Sequence, residues 1–267
     1  MPSVPLAELA RRPLFEPIAP WLEGLAGSRP PPVQVLNGLL PPTGTPCGSG
    51  LPIRFVTAEA DAMPYEERIF LDGVVPTRPD NWHDFFNALV WLAFPATKAA
   101  INARHHQALT AARLQGATQR GAARDGLTQL DESGVIVCTT AAHLAELLRA
   151  HRWEELFWGH RAEVQERMRF LVFGHAVFEK LLRPYEGLCA KTLVLTVPDR
   201  VLARSSANTL VAYVDGVVAR LVGECGAPAS PRDLGNLPLL GIPGVIAEAE
   251  EVSYYRNTKY FRPRKSE

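Results

Sequence analysis

Residues 81–106 read NWHDFFNALVWLAFPATKAAINARHH and gather imidazole, amide, ammonium and carboxylate groups in one short stretch. On a helix, residues four apart share a face. His83 and Asn87 therefore stack, as do Lys98 and Asn102, and His105 and His106 follow three and four residues after Asn102. If the two helical segments pack together, His83, Asn87, Lys98, Asn102 and His105 converge beside apolar flanks such as Phe85, Phe86 and Trp91. Such groups can bind an anion, hold a metal through two histidines, or move protons near neutral pH. His83 and His105 would then be acid/base groups or ligands. Asp84 would orient one imidazole, and Lys98 with Arg78 would hold an anionic substrate. The plainer alternative has His83 and Asn87 capping the helix and bonding to backbone, as buried polar groups usually do.

Two further constellations carry ligand types. In FGHAVFEKLLRPYEG, His175 and Glu179 lie four apart, a spacing that suits two metal ligands on one helix face and equally a surface ion pair. The candidate ligands of a divalent metal are thus His83, His105, His175 and Glu179. In RDGLTQLDESGVIV, Arg124 with Asp125 and Asp131 with Glu132 bring carboxylates to what reads as a hairpin turn. They could hold Mg²⁺ or act as acid and base, or simply solvate a turn. Arg54, Arg68 and Arg78 could clamp a carboxylate or phosphate. Near the C-terminus, Tyr254, Tyr255, Tyr260 and Phe261 interleave with Arg256, Lys259, Arg262, Arg264 and Lys265. That pattern suits either single-strand stacking or aromatics packed on the body with charges in water. HExxH, GxSxG, SxxK, GxGxxG and GxxxxGK[ST] are absent, which leaves zincin, Ser-nucleophile, dinucleotide and P-loop sites unsupported.

The elements that must position these groups follow from local signals. Residues 1–50 are a Pro/Gly-rich wrapping segment with a short helix around 18–25. Residues 52–57 and 67–74 read as short strands. Asn81 caps a helix over 82–94, and Pro95 opens a second one to Leu114. A polar loop over 115–126 leads to the hairpin of LTQL and VIVCT. Helical patterning covers 140–182, with Thr140 as the cap of a helix over 141–153, followed by helical segments over 154–160 and 162–182. A strand spans 189–197, and Ser205 or Ser206 caps a last helix to about Val222. The expected architecture is a single mainly helical α+β domain over 51–245, flanked by Pro-rich N- and C-terminal arms over 1–50 and 246–267.

Composition bounds the function. The 267 residues hold 28 Lys plus Arg against 28 Asp plus Glu, so nucleic acid as a partner has no support from net charge. Cys47, Cys138, Cys189 and Cys225 form no CxxC pair and read as buried reduced thiols. The N-terminus lacks a secretory pattern and no run of about 18 apolar residues occurs, so a cytoplasmic location is the expectation and no membrane contact is foreseen.

The runs YEERIFLDGVVPTRPDNWHDFFNALVWLAFPATKAAINARHH, RDGLTQLDESGVIV, FGHAVFEKLLRPYEGLCAK and LPLLGIPG…YYRNTKYFRPRK resemble the bacterial DUF3025 family from about Arg54 to Arg264. Leu130 stands where the family often has Phe, and Val245 where an aromatic is expected. The resemblance implies a whole-chain domain of cytoplasmic type and brings no activity with it. By match to its motifs, the polar positions that stand out are Arg78, Trp82, His83, Asp84, Asn87, Lys98, Asn102, His105, Arg124, Asp131, Glu132, His175 and Glu179. Arg78, Trp82 and Arg124 are the expected substrate contacts. Two functional expectations result. One is a hydrolase, metal-assisted by a divalent ion and acting on an anionic or phosphoester substrate. The other is a non-catalytic binding or interaction scaffold whose polar cluster is structural.

Overall fold

Prolines break the start of the chain into short pieces, because each fixes φ and removes an N–H. Helices α1 (Leu6–Leu9), α2 (Ala19–Glu23) and α3 (Val33–Gly38) and the 3₁₀ turn Pro13–Ile18 wrap the body. Leu6, Leu9, Phe15, Ile18 and Leu22 are buried there. The computed structural model describes residues 4–59, 63–116, 121–204 and 206–264. Strand β1 (Arg54–Thr57) pairs in parallel with β2 (Val74–Thr77), with Phe55 opposite Val75.

Between them lies helix α4 (Tyr65–Asp72), where a strand over 67–74 was the expectation. Glu66 and Glu67 in the first turn complement the helix start. Gly73, at φ 63°, closes the end by donating to Ile69 O at 3.0 Å. The strand begins only after that left-handed cap.

Helices α5 (Trp82–Ala93) and α6 (Pro95–Leu114) match the sequence reading. The Asn81 side chain accepts from the Asp84 N–H at 3.0 Å, and Pro95 occupies the first turn of α6. The hairpin foreseen after them is absent. Residues Ala122–Ser133 form helix α7, whose Leu127 and Leu130, three apart, share the buried face. The expected loop over 115–126 is accordingly helical from Ala122, and its residues 117–120 lie outside the described ones.

Strand β3 (Gly134–Thr139) follows α7 directly and is buried throughout. Helices α8 (Ala142–Arg149) and α9 (Arg161–Arg167) flank a π-turn at Glu155–Gly159. Strand β4 (Met168–Val172) then interrupts what reads as one helix over 162–182. Its Phe170 lies opposite Val137, so burial in a sheet overrides local helical patterning. Helix α10 (His175–Leu181), strand β5 (Cys189–Thr196), helices α11 (Asp199–Arg204) and α12 (Ala207–Gly223) and strand β6 (Gly235–Pro238) complete the order. The four-stranded sheet runs β4-β3-β5-β6, with β3 parallel to β5 and both edge pairs antiparallel. Ser206 caps α12, and Ser205 lies outside the described residues.

The C-terminal aromatics turn inward. The Tyr255 hydroxyl donates to Gly241 O at 2.9 Å, and that of Tyr260 donates to Leu188 O at 2.8 Å. Cys47 and Cys138 are buried, but Cys189 and Cys225 are exposed, contrary to the expectation of four buried thiols. Among the described residues no helix is long and apolar enough to cross a membrane.

Helix α6 is anchored at its start by α12. Asp215 accepts from the Ala96 N–H at 3.0 Å and the Thr97 N–H at 2.7 Å, and the Thr97 hydroxyl donates to Asp215 O at 3.1 Å. A carboxylate thus satisfies two orphan donors at a buried helix start. Asp215→Ala is expected to cost about 2–3 kcal/mol in urea unfolding, and Asp215→Asn, which keeps one acceptor, about half of that. A loss below about 0.5 kcal/mol for the alanine variant would refute the anchor.

Candidate metal centre

Helix α10 presents His175 and Glu179 on one face, and that face meets His83 of α5. His83 is held at both ring nitrogens: its Nδ1 lies 3.1 Å from Glu179 Oε2 and its Nε2 lies 3.0 Å from His175 Nε2. The two rings stand edge to face, 4.4 Å between centroids. Glu132, in the last turn of α7, completes the cluster. Its Oε2 is 3.8 Å from His83 Nε2 and 3.6 Å from His175 Nε2.

The approach of α10 to α7 depends on Gly174. A Cβ on Gly174 would sit 2.4 Å from Gly134 N and 2.6 Å from Glu132 O, so no other residue fits between them. The N–H groups of Phe173 and Gly174 both donate to Gly134 O, at 3.0 and 2.8 Å. This fixes the start of α10 beside the end of α7.

The triangle of His83 Nε2, His175 Nε2 and Glu132 Oε2 suits one ion. Tetrahedral ligands about 2.0–2.1 Å from a metal stand about 3.3–3.4 Å apart, close to the 3.0, 3.6 and 3.8 Å found. Each imidazole has a carboxylate behind it, Glu179 at His83 Nδ1 and Asp131 Oδ2 3.7 Å from His175 Nδ1. The hydrogen bond to Glu179 fixes the tautomer of His83, whereas Asp131 lies beyond hydrogen-bond reach of His175 Nδ1 and acts on that ring through its charge. Burial pushes His175 down to about 3; Asp131 pulls it up, while Lys98 and His83 push it down again. The ring is neutral near pH 7, the form that ligates metals. Burial likewise raises the Glu132 carboxyl, against the pull of His83.

Beneath the cluster lies a buried ion pair. Lys98 Nζ of α6 donates to Asp131 Oδ1 of α7 at 2.6 Å and to Asn87 Oδ1 of α5 at 2.9 Å. It also lies 5.3 Å from the centre of the Trp91 ring. Above it opens a concavity of about 360 Å³, lined by Tyr65, Glu66, Arg78, His83, Asp84, Asn87, His105, Arg124, Thr128, Asp131, Glu132 and His175.

The family model described as "Protein of unknown function (DUF3025)" matches residues 53–265. The chain belongs to the DUF3025 family. No curated protein and no solved structure matches it.

In this DUF3025 protein the residues singled out from the sequence divide by position. His83, Asp84, Asn87, His105, Arg78 and Arg124 line the concavity. Lys98 lies under it, only 4% exposed and committed to Asp131 and Asn87, so it is a support and not an anion clamp. Asp84 bonds to Arg78 through both carboxylate oxygens, at 2.9 and 2.8 Å, and does not orient an imidazole. Trp82 is buried against Phe86, away from the concavity. Asn102 accepts from the Gly48 N–H at 3.1 Å and donates to Glu66 O at 2.8 Å, tying the N-terminal wrap and α4 to α6. His105 lines the wall without joining the ligand triangle, and Glu179 backs His83 in place of facing an ion.

Tyr65, Glu66 and Thr128 also line the concavity, and sequence reasoning passed over them. Tyr65 and Glu66 open α4 just ahead of the stretch 67–74 that reads as a strand, and Thr128 lies in α7, part of which reads as half a hairpin. Arg54 is elsewhere, bonded to Asp72 O.

A second group, His143, His160 and Glu163, lies at the surface between α8 and α9. Arg167 Nη1 is 3.3 Å from Glu163 there, so a cation already serves that carboxylate.

The Asp131 carboxyl is depressed: burial raises it, but Lys98 and His175 together lower it further. Such a group stabilises the fold above its unfolded pKa of about 4, and that contribution is lost as pH falls through the folded value. Lys98→Met strands the buried carboxylate. It is expected to cost about 3–5 kcal/mol in urea unfolding at pH 7, with the deficit shrinking below pH 4. A deficit unchanged by acid would show that the pair is not the source.

Proposed function

We propose that this protein is a divalent-metal-dependent hydrolase of anionic, phosphoester-type substrates. The observation that carries the reading is the ligand triangle of His83, His175 and Glu132, set in a solvent-open concavity with a carboxylate behind each imidazole. Three protein ligands with an open fourth position are the pattern of a catalytic zinc, as against the closed four-ligand sets of structural sites. A bound ion would lower the pKa of its water to about 7 and polarise the substrate oxygen beside it.

Charge supports a metal-first order of binding. The concavity is lined by four carboxylates, Glu66, Asp84, Asp131 and Glu132, against the two arginines Arg78 and Arg124. Asp84 already takes much of Arg78, and Lys98 neutralises Asp131 from below. Without an ion the surface repels an anion. With a dication it accepts one, and Arg78 and Arg124 at its edge then meet the outer oxygens.

A second reading, the non-catalytic scaffold, draws on one observation. The 3.0 Å contact between the His83 and His175 Nε2 atoms is a hydrogen bond that needs no ion. Zinc titration of tag-free protein separates the two readings. Expected are one zinc per chain, at least a hundredfold weaker binding in His83→Ala and in His175→Ala, and metal-dependent cleavage of p-nitrophenyl phosphate or its diester. Unchanged zinc affinity in both variants would remove the metal centre, and zinc binding with no turnover of any phosphoester would leave the scaffold.

A further inference from the structure

Lys98 fixes the direction of a hydrogen-bond chain that ends in the concavity. An ammonium group can only donate, so the atom of Asn87 facing Lys98 Nζ at 2.9 Å is its oxygen. The Asn87 NH₂ must then face the other way, and it donates to the Tyr65 hydroxyl oxygen at 2.7 Å. Tyr65 therefore accepts from Asn87, and its own O–H proton is directed elsewhere. Among the described residues no acceptor takes that proton. Tyr65 lines the same concavity as His83, Glu132 and His175. Burial raises the phenol well above its usual 10, with Glu66 and Asp131 adding to the rise, so the proton stays in place through the neutral range.

We propose that the Tyr65 hydroxyl is a substrate-contacting donor that binds a phosphoryl oxygen of the metal-held oxyanion, with Asn87 and Lys98 as the residues that position its proton. This rests on the metal-hydrolase reading and deepens it. The donor is preset: turning the Tyr65 proton back toward Asn87 would set two donors against each other, and turning the Asn87 amide would set its NH₂ against the Lys98 ammonium. A donor fixed before the ligand arrives needs no reorganisation when charge develops on the oxygen it faces. Tyr65 leaves 40% of its residue surface exposed although its hydroxyl is desolvated, and Tyr65→Phe keeps the ring and its packing.

The test uses zinc-loaded full-length protein and inorganic phosphate, with zinc affinity measured first. Tyr65→Phe is expected to bind zinc as wild type does and to bind phosphate about ten- to a hundredfold more weakly. Asn87→Asp replaces the amide donor by an acceptor, so the Tyr65 proton turns away from the concavity and phosphate affinity falls. The Tyr65→Phe/Asn87→Asp double variant is expected to fall less than the sum of the two single losses, because part of the Asn87→Asp loss acts through a hydroxyl that the double variant lacks. Phosphate affinity in Tyr65→Phe within twofold of wild type, with zinc binding intact, would overturn the role of Tyr65 and leave the metal centre standing. Full additivity would show Asn87→Asp to act by charge alone and would overturn the positioning role. Failure of wild type to bind zinc would overturn both the metal reading and this inference.

Discussion

The buried bond between Lys98 and Asp131 is the constraint around which the rest of the site is arranged. It joins α6 to α7, and through Asn87 it draws in α5, so three helices meet at one ammonium group. Desolvating two charges is costly, and such a pair repays the cost only with close geometry and its remaining donors satisfied. Lys98 meets that condition with the Asp131 carboxylate, the Asn87 carbonyl oxygen and the Trp91 ring. The pair also sets the electrostatics above it. Its cation helps keep His175 neutral, and its carboxylate stands behind the His175 ring.

From that floor the cluster is assembled by backbone proximity as much as by side chains. Glu132 follows Asp131 and so projects beside it from the end of α7. Gly174 lets the start of α10 come within contact of that end, which sets His175 next to Glu132. One turn later, Glu179 reaches the far nitrogen of His83. A side chain at position 174 would press on the backbone of Glu132 and Gly134, push α10 outward and open the triangle without touching either imidazole.

The parts of this arrangement that were legible in the sequence are those written locally. Asn81 before WHDFF, Pro95 after a run of apolar residues, and Ser206 before a long periodic stretch each mark a helix boundary through a capping or φ constraint. That His175 and Glu179 share one face of α10 was likewise readable from spacing four, but Glu179 bonds His83 and is neither a member of the triangle nor an ion partner of His175. The elements misjudged are those decided by tertiary context. IFL in α4 and MRFLV in β4 have nearly the same character, yet one ends at a left-handed glycine and the other is paired with β3. DESG looked like a turn because its residues favour turns, but Leu127 and Leu130 on the buried face keep α7 helical up to the strand. Pairing His83 with His105 assumed that adjacent helices supply adjacent ligands. The fold instead pairs it with His175, 92 residues away, a separation no periodicity reports.

The most direct test of the metal centre is anomalous diffraction at the zinc edge from crystals of zinc-loaded protein. One peak is expected about 2.0–2.2 Å from His83 Nε2, His175 Nε2 and a Glu132 carboxylate oxygen. No peak there, with the two imidazoles still in direct contact, or a sole peak beside His143, His160 and Glu163, would contradict it.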